Sequence, residues 1–211
     1  METIILGEAE AKKVLIQAVD EHDLAVIENE YKLITEPVKE DICLIALKVD
    51  DWNDDLSPWQ SEAVFGQKSF GGRASDTLEI VKSLCVDKDR KYYIGGYSLA
   101  GLFALWAAYQ TELFEAVAAA SPSVWFPGFT DMMREKTIGC DFVYLSLGDK
   151  EYKARNPLMA TVADRIIEAK DILESKGVAC RFEWNEGNHF KDADIRTAKA
   201  FAAALRFKTD T

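Results

Sequence analysis

The segment KYYIGGYSLAGLFALWAAYQ, residues 91–110, reads as a strand, a glycine-rich turn and a buried helix joined without a linker. Residues 91–95 suit a strand. Residues 99–110 form an Ala- and Leu-rich run of helical length with small residues among large ones, as a helix packed on a sheet requires. One such unit cannot bury its own apolar surface, so neighbours of the same kind are expected. They are there on both sides. Upstream, ICLIALKV (42–49) is a nearly unbroken apolar run, the signature of a strand covered on both faces. Downstream, strands at 115–120, 141–147 and 178–184 alternate with helices at 129–136, 161–175 and 194–207. Gly177 supplies the left-handed stop after the second of these helices. A helix at 76–84 has Leu78, Val81 and Leu84 on one face. This order predicts an α/β fold with a mainly parallel central sheet and helices on both faces.

The N-terminal part is less regular. Residues 3–6 and 13–19 read as strands, expected to be antiparallel at a sheet edge. Apolar residues at 24, 27, 31 and 34 predict a helix over 24–35, with Pro37 following it. Residues 50–72, with Trp52, Pro58, Trp59, Phe65 and Phe70, show no periodicity and read as a long aromatic loop. Without repeats, low-complexity tracts or a Gly/Ser linker, one domain over 1–211 is expected.

Composition narrows the partners. Lys plus Arg number 25 and Asp plus Glu 36, a formal charge of -11, which repels phosphate backbones and anionic lipid. Nucleic acid and membrane surfaces are therefore excluded as expected partners. The start, METIILGEAEAKK, carries neither a basic region nor a cleavage site before an apolar run. Cys43, Cys85, Cys140 and Cys180 form no CxxC pair and each lies in or beside an apolar element. These features predict a reduced, cytoplasmic protein. Two histidines are too few and too scattered for a zinc site.

Ligands of a parallel sheet bind at the carboxyl ends of its strands, and three groups fall there in an informative order. Ser98 stands at the sharp strand-to-helix turn. A nucleophile there needs small residues two before and two after it, and Gly96 and Ala100 are those neighbours. Gly95 and Gly101 are expected to loosen the turn further. The helix start behind Ser98 favours negative charge, and the Leu99 amide is a candidate oxyanion donor. The bland alternative is a Ser98 that merely caps the helix. Next, Gly148-Asp149-Lys150-Glu151 follows the strand FVYLSL and offers an acid to orient a histidine. Glu151 is favoured because it lies deeper in the turn, and Asp149 is the alternative. Last, Gly187-Asn188-His189-Phe190 follows RFEWN. His22, in a charged turn near the N-terminus, reads as a surface residue, which leaves His189 as the general base.

GGYSLAG, SPSVWF (121–126), GDKE and GNHF together resemble the α/β-hydrolases, and within them the esterases around esterase D and the enterobactin-type siderophore esterases. The resemblance runs from residue 42 to about 206. It implies a Ser98, His189 and Glu151 or Asp149 triad, and a second oxyanion amide near 51–53, for which Trp52 is chosen. It implies cleavage of an ester-like bond of a small molecule through an acyl-enzyme, needing neither metal nor cofactor, with activity falling below about pH 6–7. An idle scaffold that binds without turnover is the alternative. Residues 121–136 leave no room for a large cap domain. Selection is then expected from 50–72 and 122–128, with Trp59, Phe65, Trp125 and Phe126 as pocket candidates. Arg155 and Asn156 read mainly as surface residues, and no basic cluster suits a triscatecholate.

Overall fold

The computed structural model describes residues 1–64 and 66–207. Its strands in chain order are β1 (Glu2–Gly7), β2 (Lys13–Val19), β3 (Ile42–Lys48), the short β4 (Gln60–Ser61) and β5 (Phe70–Gly71), β6 (Lys91–Tyr97), β7 (Phe114–Ala120), β8 (Phe142–Gly148) and β9 (Ala179–Asn185). The helices are α1 (Glu21–Leu24), α2 (Ile27–Val38), α3 (Trp52–Leu56), α4 (Ala74–Leu84), α5 (Ser98–Ala108), α6 (Phe129–Glu135), α7 (Val162–Ser175) and α8 (Ala193–Arg206). Seven strands form one sheet in the order β1-β3-β2-β6-β7-β8-β9, and β4 pairs with β5 in a separate ribbon. Only β1 runs antiparallel, against β3; every other pairing in the large sheet is parallel.

Alternation along the strands divides the core in two. Val14, Ile16, Cys43, Ile45, Val117 and Val143 face the layer built by α3 to α7. Leu15, Ile42, Leu44, Ala118 and Tyr144 face α2 and α8. Small residues decide how closely the helices approach. A side chain on Gly95 would lie 2.7 Å from the Phe201 ring of α8 and 2.8 Å from Ala118 Cβ. Gly95 therefore seats α8 on the sheet, rather than loosening the turn after β6.

Three expectations change. The strand at 13–19 lies inside the sheet, parallel to both β3 and β6. Its VLI run is buried on both faces, and that continuity is the mark of an interior parallel strand. The first helix is broken: Asp20 and Asp23 close a capping box around α1, and α2 then carries Pro37 inside its last turn. There the missing amide removes a single bond. The 50–72 segment is not all loop. Asp51 caps α3, and buried Asp55 accepts the amides of Asp50 and Asp51 and pairs with Arg73 at 3.0 Å. Nothing longer than α6 stands between β7 and β8. Among the described residues no helix is long and apolar enough to cross a membrane.

Candidate active site

The turn after β6 is as tight as its sequence implies. Ser98 opens α5 at φ +55, a left-handed conformation that costs a non-glycine residue about 1–2 kcal/mol. A side chain on Gly96 would come within 2.7 Å of Ala100 Cβ, so both positions have to be small. The Ser123 amide donates to the Ser98 carbonyl at 3.0 Å, and the two hydroxyl oxygens lie 3.4 Å apart. A strained serine is thus held from both sides.

His189 Nε2 lies 2.9 Å from Ser98 Oγ, and His189 Nδ1 lies 2.7 Å from Glu151 Oε2. A carboxylate can only accept, so Nδ1 carries the proton and Nε2 presents its lone pair to the hydroxyl. The other Glu151 oxygen accepts from the Ser121 hydroxyl at 2.8 Å, the Gly148 amide at 2.7 Å and Arg196 Nη1 at 3.2 Å. Gly148 permits this because a Cβ there would lie 2.8 Å from Glu151 Oε1.

Asp149 has a different task. Its carboxylate accepts the Gly187 amide at 2.7 Å, while the Asp149 and Lys150 amides donate to Asn185 and Gly187 carbonyls. It stitches the loop after β8 to the loop that carries His189, and Glu151 is the acid at the imidazole. His22 is nearly fully exposed, as expected of a surface residue.

Several residues that sequence reasoning missed complete the arrangement. Arg196, only 2% exposed, also donates to the Tyr97 hydroxyl at 2.9 Å and the Glu186 carbonyl at 3.0 Å. Tyr97 in turn donates to the His189 carbonyl at 2.8 Å. Burial holds the Tyr97 phenol above its ordinary range, so it stays a neutral link. Ser121 reaches Glu151 from a strained φ of +41. A signal for Arg196 existed: it precedes Ala200 and Ala204 by four and eight residues, so it shares their buried helix face.

Ser98, Ser121, Glu151 and His189 open on a cavity of about 540 Å³ whose apolar walls include Trp125, Met159, Val162 and Phe190. Of the pocket candidates among the described residues, only Trp125 lines it. Trp59 and Phe126 instead pack with each other at 5.7 Å and with their aromatic neighbours, and the Trp59 ring N–H donates to the Pro127 carbonyl. Aromatics bury large areas, and these rings tie Trp59 to the 126–129 stretch. Phe65 lies outside the described residues. Besides Ser98, Ser121 and Trp125, the wall comes from 150–162 and 188–190, and no described residue of 50–72 contributes. Asn156 is spent on structure, donating to the Val64 carbonyl at 2.6 Å and accepting the Leu158 amide. Trp52 begins α3, where its amide needs no carbonyl within the helix, and its side chain packs on the core. Leu99 follows Ser98 in the first turn of α5. All four cysteines are free, and burial pushes the Cys85, Cys140 and Cys180 thiols up to about 12, so they hold their protons at neutral pH.

The parallel sheet, the antiparallel first strand and the serine at the turn after β6 define the α/β-hydrolase fold. Among solved structures the chain is similar to an IroE-like serine hydrolase from Shewanella oneidensis, with a TM-score of 0.77 and 16% identity over 99% of this chain and 76% of that one. It is similar to the siderophore hydrolase EstA from Aspergillus nidulans, with a TM-score of 0.66 and 19% identity over 97% and 85%. It also matches YahD, solved with malic acid, with a TM-score of 0.62 and 16% identity over 100% and 98%. No protein-family model matches the sequence, and no curated protein matches it significantly.

Proposed function

We propose that this protein is a serine esterase that cleaves a carboxylic ester or thioester of a small molecule through an acyl-enzyme. Ser98 Oγ attacks the carbonyl carbon as His189 Nε2 takes its proton, and Glu151 stabilises the imidazolium that forms. The amides of Leu99 and Trp52 receive the negative charge on the carbonyl oxygen. His189 then gives its proton to the leaving alcohol or thiol, the C–O or C–S bond breaks, and Ser98 holds the acyl group. Water repeats the sequence: His189 takes its proton, the oxygen bonds to the acyl carbon, and Ser98 leaves reprotonated. The buried, protonated thiols support a reducing, cytoplasmic setting.

One observation carries the reading: hydroxyl, imidazole and carboxylate from three distant loops stand in an unbroken hydrogen-bonded chain beside an apolar cavity. Fluorophosphonate labelling tests it. The adduct is expected on Ser98, lost in His189→Ala, with nitrophenyl acetate turnover abolished in Ser98→Ala and its melting temperature little changed. Full turnover in Ser98→Ala, or no adduct at saturating probe, would overturn the proposal and favour an idle scaffold.

A further inference from the structure

The cavity beside Ser98 carries a second kind of information, in its charge. Its walls are apolar, yet Lys150 and Lys153 stand on its lip with Ser98 and His189. The chain as a whole is acidic, with a formal charge of -11, and basic residues of the histidine loop and of α8 are matched. Lys191 pairs with Glu186 at 3.2 Å, Lys199 with Glu183 at 3.3 Å and Arg196 with Glu151 at 3.2 Å. Among the described residues neither Lys150 nor Lys153 has a carboxylate within salt-bridge reach; the Lys153 ammonium lies only near the Tyr152 ring, at 5.7 Å. Two unmatched ammonium groups on an acidic surface make a local positive spot in a field that elsewhere turns anions away.

Phe190 lines the same cavity, 89% exposed and edge-on to the His189 ring, with ring centroids 5.6 Å apart. A large aromatic ring left in solvent beside an apolar hollow has a face free for a flat partner. Trp125 and Met159 add to the apolar lining. The Lys150 amide donates a hydrogen bond to the Gly187 carbonyl at 3.0 Å, so the lip keeps its position relative to the histidine loop.

We propose that the preferred substrate, given the esterase reading above on which this rests, has a flat apolar arm ending in a carboxylate. The arm lies against Phe190 and the apolar wall, and its anionic end meets Lys150 and Lys153. An ester whose acyl or alcohol part is aromatic or unsaturated and carries a free carboxylate is the class that fits. The lysines act on encounter and binding, so their effect falls on kcat/KM and KM.

The test uses two matched pairs. On the acyl side, the nitrophenyl ester of 4-carboxybenzoic acid is compared with that of its neutral 4-carboxamide. On the alcohol side, 4-carboxyphenyl acetate is compared with 4-carbamoylphenyl acetate. In at least one pair the anion is expected to be preferred about five- to tenfold in kcat/KM, an exposed ion pair giving at most about fivefold per lysine. That ratio, read within each protein, is expected to collapse in K150Q/K153Q, invert in K150E/K153E and shrink as salt rises. Cleavage of the neutral esters without preference in either pair, or a preference that survives the charge reversal, overturns this inference and leaves the esterase intact. No cleavage of any of the four together with no fluorophosphonate adduct on Ser98 overturns the underlying reading, and this one with it.

Discussion

Two buried glutamates, Glu151 and Glu30, meet opposite fates. Glu151 has a side chain 3% exposed, and its two oxygens accept four bonds, from Ser121, Gly148, Arg196 and His189. Glu30, on α2, is likewise 3% exposed, yet its Oε1 has no partner and neither does Oε1 of neighbouring Gln17 on β2. Burial pushes the Glu30 carboxyl well above its ordinary range, with the charge of Asp23 adding to the push. Glu151 is surrounded by donors and one fixed cation, whereas Glu30 has the Gln17 amide beside it and feels the charges of Asp23 and Asp194. A buried carboxylate is costly unless its charge is matched. The matched one lies at the candidate site, where an anion has work to do against an imidazolium, and the unmatched one has no chemistry beside it.

The strongest way to break this contrast is Glu151→Gln. The amide keeps the shape and removes the charge opposite His189, so nitrophenyl acetate kcat is expected to fall about 10³–10⁴-fold, the scale for a triad acid turned amide. A loss under tenfold would mean that Glu151 does not serve the histidine. Next comes Arg196→Met, which leaves Glu151 with the imidazole as its main charged partner. Breaking a buried pair costs about 3–5 kcal/mol, so melting is expected to fall by roughly 10 °C. Arg196 acts here as a positioning residue, and a stability loss alone would not show that. Without the guanidinium, the Glu151 carboxylate holds the imidazole less firmly in place. The kcat for nitrophenyl acetate, measured well below the melting temperature, is therefore expected to fall with KM unchanged, and Arg196→Lys to restore it in part. An unchanged kcat would reduce Arg196 to packing.

The contrast also explains what was legible in the sequence. Strands β3 and β6 to β9, their helices, and Ser98 and His189 could all be read, because local spacing and chain order encode them. Glu151 could be read only as one of two acids, since the choice depends on the path of the turn after β8. Arg196 was illegible as a site residue: α8 is a helix from its periodicity alone, but which strand ends it covers is set by Gly95 and Ala118 making room for Phe201. The interior place of β2 was hidden for a similar reason, since pairing partners are non-local. Trp59 misled because a ring in a loop looks the same whether it lines a cavity or packs on its neighbours. It packs on Phe126 and Phe129.

Glu30→Gln sharpens the comparison from its other side. The folded state holds a proton on Glu30 at pH values where the unfolded chain has released it, so folding strength falls as pH rises above the ordinary glutamate range towards the raised native value. Asp23, raised to about 6 by burial, adds a loss of the same sign between about pH 4 and 6. The Gln variant escapes the Glu30 part and brings an amide donor beside the orphaned Gln17 Oε1. Its melting temperature is expected to exceed the parent's at pH 8 by a few degrees, about 2–4 °C per kcal/mol, with the gap closing near pH 4. A Gln variant less stable than the parent at pH 8 would show that the Glu30 charge is matched after all.

The smallest effect is expected at Asp149→Asn, and it separates the two acids of the turn after β8. The bond from the Gly187 amide needs only an acceptor, and the Asn oxygen can take the place of Asp149 Oδ1. What the substitution removes is charge, and Asp149 spends none of it on the imidazole, whose Nδ1 is 2.7 Å from Glu151. The kcat is therefore expected to stay within about threefold, since exposed charges are screened and contribute at most about 1 kcal/mol. If Asp149→Asn matched the loss of Glu151→Gln, the two carboxylates would have to act as a unit, and the division between an acid that orients the ring and one that ties its loop would fail.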